Sequence, residues 1–132
     1  MNTKVFYELW QMECCGKPFK IGDPVEWYVI SADRLVRPFD IDGLEYFYDA
    51  HFDDWDGIYM LKGVVSNISV YYEKFELITA PGHNTLKPVP GTSEAIATDS
   101  SEDVEEYRGE LKASGYIVEL DGVTVNPAKH KT

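Results

Sequence analysis

The stretch that decides the fold is residues 10–27, Trp10-Gln-Met-Glu-Cys-Cys-Gly-Lys-Pro-Phe-Lys-Ile-Gly-Asp-Pro-Val-Glu-Trp27. It contains two turn signals, Cys-Gly-Lys-Pro and Ile-Gly-Asp-Pro. In each signal the glycine adopts backbone conformations that other residues resist, and the proline fixes φ and removes an amide donor. The stretch therefore predicts a strand that arrives at Met12, a turn through the cysteines, and a strand that leaves from Val25.

Strand patterns extend the prediction on both sides of this stretch. Residues 3–12 alternate between two faces, which is typical of a strand with one face largely buried. Residues 25–31, Val-Glu-Trp-Tyr-Val-Ile-Ser, form the second predicted strand. We expect Trp10 and Trp27 to pack in the core and Gly22 to be a turn residue.

Two segments carry helix patterns. Asp42 is a predicted N-cap, with Glu45 three residues later completing a capping box. One apolar stripe with helical spacing follows, made of Leu44, Phe47, Tyr48 and His51. The second predicted helix spans residues 100–114, because acidic residues crowd its first turns and Gly115 follows its last.

The remaining segments predict strands and loops. Residues 58–78 are β-prone, and we favour a break near residues 73–74 over one bent strand, because strands rarely exceed ~10 residues. Residues 80–93 are rich in proline and glycine and predict a long irregular loop. Residues 116–125 predict a hairpin that turns at Asp121-Gly122.

Together these elements predict a mainly β fold with two helices, in the α+β class. The runs Gly-Asp-Pro-Val and Lys-Gly-Val-Val favour an SH3-like small β-barrel, with one helix inserted after the second strand and a C-terminal helix plus hairpin. The chain has 132 residues, a length typical of one domain that can bury a core without staples. We expect a single globular domain over residues 1–126 and a frayed tail over residues 127–132.

The opening also resembles a known group of sequences. Its pattern Trp-x-x-x-Cys-Cys-Gly-x-Pro-Phe-x-Ile-Gly-Asp-x-Val-x-Trp is similar to the start of a family of small uncharacterised bacterial proteins. The resemblance continues through a Gly-x-Val strand, here Lys62-Gly63-Val64-Val65, and a Pro-Gly loop, here Pro88-Val89-Pro90-Gly91. The resemblance implies a bacterial, cytosolic origin. Because that family has no assigned activity, the resemblance implies no catalytic or binding residue.

The charge balance limits the classes of partner. The chain carries 12 basic and 23 acidic residues, a net charge of −11. This field repels the phosphates of nucleic acids and anionic membrane surfaces, so we expect neither as a partner. Solubility or a basic partner fits the charge better. Residues 1–12 contain no apolar core of a signal peptide, and no stretch is apolar enough to span a membrane, which predicts a cytoplasmic protein.

The cysteines and histidines supply the only set that resembles metal ligands: Cys14, Cys15, His51 and His83. Zinc sites usually separate their cysteines by two to four residues, whereas adjacent cysteines point to opposite faces of an extended backbone. A thiol nucleophile needs a neighbouring base and a lowered pKa, and acidic surroundings act against that. We therefore predict no metal, no cofactor and no catalytic residue, and keep a thiol- or metal-dependent protein centred on this turn as the alternative.

The acidic segment after the first predicted helix is the remaining candidate. Its carboxylates fail the EF-hand pattern for calcium, because Gly63 stands where the bidentate glutamate is required. Trp55 lies among them, and either folds back over the helix or is exposed as a partner anchor. The predicted binding surface combines the Pro81–Gly91 loop with Trp55, Asp53, Asp54, Asp56 and His83.

These observations predict a non-enzymatic module that binds a protein or peptide partner, as a monomer or weak homodimer. The alternative is the thiol- or metal-dependent protein, with Cys14, Cys15 and His83 at its site. A third reading is an acidic inhibitor that mimics the charge of a nucleic acid, which a single negative stripe on the surface would favour.

Overall fold

The structure, a computed structural model, describes residues 2–14, 17–34, 41–49, 57–102 and 104–128, with the backbone alone at residues 13, 14, 34, 80 and 83. Its helices and strands are β1 (Thr3–Glu8), α1 (Leu9–Cys14), β2 (Pro24–Ser31), a 3-10 helix (Ala32–Arg34), β3 (Leu44–Tyr48), β4 (Ile58–Ala80), β5 (His83–Pro88), β6 (Glu94–Thr98), β7 (Tyr107–Arg108) and β8 (Leu111–Pro127). No helix among these residues is long and apolar enough to cross a membrane.

Five strands close into a ring. β4 pairs with β2, β2 with β3, β3 with β1, β1 with β8, and β8 with β4 again. All of these pairs are antiparallel except β1 with β3, which is parallel. β5 and β6 pair with β4 outside the ring, and β7 pairs with β8. The mainly β class is confirmed, whereas the SH3-like arrangement and the two helices are not.

The pairing of β4 with β8 is the longest in the molecule. It runs from Tyr59 opposite Pro127 to Lys74 opposite Leu111. The predicted break near residues 73–74 is therefore wrong. β4 is one strand of 23 residues, and the register shifts along its pairing with β8 allow a strand of this length to bend and to twist locally.

The predicted hairpin at Asp121-Gly122 is also wrong, because β8 continues through it to Pro127. β4 offers backbone partners along the whole of this segment, so the chain stays extended instead of turning back. The register shifts here, with two residues of β8 facing Gly63 of β4. Gly122 has φ +62°, a conformation that a bulge requires and that glycine adopts without strain.

The helix predicted after Asp42 is a strand over Leu44–Tyr48 instead. Gly43, at φ +74°, turns the chain directly after Asp42 and delivers it between β1 and β2. There the backbone of β3 has partners on both sides, and Phe47 packs on Phe6 with ring centroids 5.5 Å apart. These long-range contacts outweigh the local helical spacing.

The helix predicted over residues 100–114 is also wrong, since the described part of that range contains β7 and the start of β8. Gly109, at φ +59°, joins the two strands. Leu111, Lys112 and Ala113 pair with residues 72–74 of β4, whose backbone groups a helix in that place would leave unpaired.

The predicted loop over residues 80–93 largely forms a hairpin instead. β4 turns at Pro81 and Gly82, where Gly82 has φ +92°, and β5 returns antiparallel along β4. The turn residues were recognised, but the segment between them is a strand because it pairs with the end of β4.

Inward-facing aromatic and aliphatic side chains of the ring strands form the core. Trp27 is partly buried against it, which agrees with its predicted packing. The prediction that Trp10 packs in the core is wrong, because half of the surface of Trp10 is exposed. β1 ends at Glu8, and the chain enters α1, so the alternation that would have turned Trp10 inward stops before it.

The Gly-Asp-Pro turn forms as predicted. Gly22 has φ +96°, and its amide donates to the carbonyl of Val65 at 2.8 Å. The amide of Val65 in turn donates to the carbonyl of Asp23 at 2.9 Å. These two bonds attach the opening stretch to β4 where β2 begins.

Candidate functional site

Most of the residues predicted for a site lie outside the described part of the chain: Asp53, Asp54, Trp55, Asp56, His51 and Cys15. Cys14 is the last residue of α1, and His83 is the first residue of β5, both with the backbone alone described. The two site hypotheses built on these residues remain predictions.

Within the described ranges, no group of three or more histidine, cysteine, aspartate or glutamate side chains is placed to hold a metal ion. The prediction of a metal-free protein is not decided by this, because Cys15 and His51 fall outside those ranges.

A groove of about 300 Å³ lies between α1 and the β4–β5 hairpin. We call it the Trp10 groove. It is lined by Glu8, Leu9, Trp10, Phe75, Leu86, Glu106, Lys112, Ala113 and Ser114. One wall is the start of α1, the other is the hairpin, and the start of β8 lies between them.

The hairpin wall is apolar and exposed. Leu77 of β4 lies directly opposite Leu86 of β5, and Phe75 lies opposite Pro88. Because side chains alternate between faces along a strand, these four share one face of the hairpin. Leu77 and Leu86 expose 56% and 58% of their surface, which is unusual for neighbouring leucines and marks a surface that can bind apolar groups.

Trp10 supplies most of the opposite wall. Leu9, just before it, packs against the core, while the Trp10 ring remains half exposed. Leu9 therefore contacts both the core and the groove, whereas Trp10, the next residue of the helical turn, is the more exposed of the two at the groove. A large ring in this position is the side-chain type that most often anchors a binding partner.

Carboxylates surround the groove. Glu8 and Glu106 line it, and Glu106 lies 3.9 Å from the ammonium of Lys112. The Ser114 hydroxyl donates to Oε1 of Glu73 at 2.8 Å, and Glu73 itself is 5% exposed. Two carboxylates, of Glu8 and Glu106, and one ammonium, of Lys112, therefore line the groove, which combines apolar walls with an excess of negative charge.

The groove adjoins an open strand edge. β5 is the last strand of the sheet order, and among the described residues its outer edge pairs with no other strand. Its backbone groups on that side can bond to an extended peptide, as exposed sheet edges do in known peptide complexes.

Comparison with known proteins gives one match. A family of unknown function, DUF6578, matches residues 1–122. The chain belongs to this family. No curated protein and no solved structure matches the chain. The predicted membership of an uncharacterised family is confirmed, and it brings no activity or site residue with it.

Sequence reasoning missed the residues that line the Trp10 groove. A signal was present for the hairpin wall, because apolar residues alternate at Phe75 and Leu77, and Leu86 and Pro88 follow the Pro81-Gly82 turn at the matching spacing. No local signal identified Trp10, since its exposure depends on where β1 ends.

Proposed function

We propose that the protein is a non-enzymatic module that binds a basic protein or peptide in the Trp10 groove. The observation that carries the proposal is that exposed Trp10 and Leu86 stand on the two walls of one groove, while exposed Leu77 lies opposite Leu86 on the same face of the hairpin. Such large apolar groups gain free energy when a partner removes them from water.

The occupant that fits best is an extended peptide segment. It would pair with the outer edge of β5 and place one apolar side chain between Trp10 and Leu86. Basic residues beside that side chain would face Glu8 and Glu106, and the net charge of −11 would raise the rate of their encounter.

Some of the other sequence predictions belong to the proposal, and others are independent of it. A cytosolic bacterial location and a monomer or weak homodimer belong to it. The predicted SH3-like barrel gives no support to the proposed binding function, because a fold alone does not assign a function. The thiol- or metal-dependent alternative at Cys14, Cys15 and His83 stays a prediction.

Selection from a random peptide library tests the proposal without assuming a partner. Random peptides displayed on phage would be selected on the full chain and measured by fluorescence polarisation. We expect selected sequences to combine an apolar residue with lysine or arginine. Leu86→Lys should weaken their binding by about tenfold or more, since it places a charge inside the groove.

The matched control is Ile78→Lys. Ile78 is exposed on the opposite face of the same hairpin, so the variant adds the same charge without entering the groove. Its binding should stay within about twofold of wild type. Selection that yields no binder, or binders equally weakened by both variants, would contradict the proposal.

A further inference from the structure

A second pocket, of about 400 Å³, lies at the opening stretch and shares no lining residue with the Trp10 groove. Its aromatic residues come from four segments: Tyr7 of β1, Phe19 before β2, Trp27 of β2 and Tyr48 of β3. We call it the aromatic pocket. The Gly-Asp-Pro turn lies between Phe19 and Trp27 in the chain, and both of these residues line the pocket.

The rings of the aromatic pocket stand in two orientations. Tyr7 and Tyr48 are stacked, with centroids 3.8 Å apart and planes 14° apart. Trp27 is nearly perpendicular to both, at 70° to Tyr7 and 81° to Tyr48. Phe19 meets Trp27 at 64° with centroids 5.2 Å apart. Of these rings Trp27 and Tyr48 are partly exposed, and two rings at 81° to each other can contact a single bound group from two sides.

The pocket is also acidic. Asp23 and Glu26 line it, with Lys17 as the one basic residue among its lining residues. The Lys20 amide donates to Oδ2 of Asp23 at 3.0 Å, which fixes that carboxylate in the turn. Glu26 lies 4.0 Å from Lys62, and both side chains are more than half exposed, so water screens this pair strongly.

Tyr7 adds no negative charge near neutral pH. Burial, and after it the hydrogen bond with Tyr48, raises the pKa of the Tyr7 hydroxyl. The Tyr7 ring is therefore neutral and keeps its position against Tyr48. The negative charge of the pocket comes from Asp23 and Glu26, and its partly exposed rings are Trp27 and Tyr48, since Tyr7 and Phe19 are only 1% and 4% exposed.

We propose that the aromatic pocket binds an organic cation with an alkylated ammonium group. A cation over aromatic faces is attracted by their quadrupole, most strongly by tryptophan, and aromatic cages of this kind bind quaternary ammonium groups. Asp23 and Glu26 add attraction for the positive charge. A trimethylammonium group reaches a protein either on a free small molecule or on a methylated lysine of a peptide.

The test is a titration of the isotope-labelled full chain with choline, followed by NMR at the indole N–H of Trp27. Trp27→Phe assigns that signal. The reference compound is the neutral isostere of choline, in which a tert-butyl group replaces the trimethylammonium group. We expect the chemical shift to change saturably with choline. The affinity for the isostere should be lower by at least about threefold. No saturable shift, or equal binding of both compounds, would overturn the proposal.

Two variants show which groups are responsible. Trp27→Phe keeps a ring with a weaker quadrupole, and Glu26→Gln removes one charge, so each should weaken choline binding about threefold or more when binding is followed at the backbone amides of the pocket residues. Glu76→Gln removes the same charge at an exposed position of the β4–β5 hairpin and should leave binding unchanged. If Glu26→Gln and Glu76→Gln have the same effect, the carboxylate of the pocket is not a ligand group.

A pair of peptides distinguishes the two sources of the cation. One carries trimethyllysine, and the other carries lysine in the same sequence. A trimethyllysine peptide that binds more tightly than choline indicates a peptide ligand, whereas choline that binds more tightly indicates a free small molecule. Either result supports the cation site, and preference for the unmodified lysine peptide would contradict it.

Discussion

The two halves of β4 belong to the same strand but have opposite surroundings. The half from Ile58 to Glu73 pairs with ring strands and β6, and its inward side chains are buried, Leu61 completely. The end of the strand, from Phe75 to Ala80, pairs with β5, and its Leu77 side chain is exposed to solvent. One strand therefore supplies both the core and the hairpin wall of the Trp10 groove.

The difference indicates how stability and binding are separated in this molecule. The buried, inward-facing side chains of the ring pack against other core side chains, so replacing them changes the free energy of unfolding. Side chains on the hairpin face are already in water, so replacing them changes it little. If this division holds, binding can be altered at the hairpin without loss of the fold, and each prediction below compares one ring position with one position at the hairpin or the Trp10 groove.

The largest effect is expected at Gly115 of β8. A Cβ there would overlap the carbonyl oxygen of Tyr7 and lie 2.9 Å from Cζ of Phe6. Gly115→Val should lower the free energy of unfolding by more than about 4 kcal/mol or prevent folding. Circular dichroism during urea denaturation measures it.

The hairpin control for that variant is Gly82→Ala. Gly82 has φ +92°, but a Cβ there would meet nothing within 4 Å. The backbone strain alone should therefore lower the free energy of unfolding of Gly82→Ala, by about 1–2 kcal/mol. Equal stability of the two variants would show that the β1–β8 contact is not tightly packed.

The same substitution in the two halves of β4 gives the sharpest comparison. Leu61→Ala should destabilise the protein by about 2–5 kcal/mol, because it leaves a cavity in the core. Leu77→Ala should stay within about 0.5 kcal/mol of wild type, since Leu77 is mostly in water. Urea midpoints of both variants at equal m-value decide it, and similar losses would mean that the hairpin face is covered in solution.

A smaller difference in the free energy of unfolding is expected between alanine variants of Trp27 and Trp10. Trp27→Ala removes a partly buried ring that packs on Tyr7, Phe19 and Tyr48, and should cost about 2–3 kcal/mol, less than a fully buried tryptophan. Trp10→Ala should cost below about 1 kcal/mol. Thermal melts of the two variants compare them, and a larger loss for Trp10→Ala would contradict its assignment to the groove.

Local sequence signals predicted the parts of the fold that depend on local chemistry. The turn at Gly22 and β2 follow from a glycine with positive φ and a proline beside an alternating run. The predictions at Leu44–Tyr48 and at Asp121-Gly122 failed because pairing with distant strands decides those segments. Local propensity does not contain that information.

The candidate sites were harder to predict for a related reason. Trp10 is exposed because β1 ends two residues before it, and Phe19 joins Tyr7 because a turn places it there. Both are consequences of tertiary placement. The turn chemistry of residues 10–27 was visible in the sequence, but the rings that it would assemble were not.

The smallest difference concerns the hydrogen bonds of one hydroxyl group in each region. The Tyr116 hydroxyl donates to the carbonyl of Ser101 at 3.0 Å in a buried position, where the amide of Ser101 also donates to the carbonyl of Phe19 at 2.9 Å. Tyr116→Phe leaves the Ser101 carbonyl without this donor, so we expect a loss of about 1–2 kcal/mol.

The matched position by the hairpin is Thr92. Its hydroxyl donates to the carbonyl of Val89 at 2.7 Å and accepts from the amide of Lys74 at 3.1 Å, near the surface. Water can replace both bonds in Thr92→Val, so the loss should stay below about 1 kcal/mol even though two bonds are removed. Urea denaturation of the two variants tests whether burial, rather than the number of bonds, sets the cost. A greater loss for Thr92→Val would show that the hairpin is held as firmly as the ring.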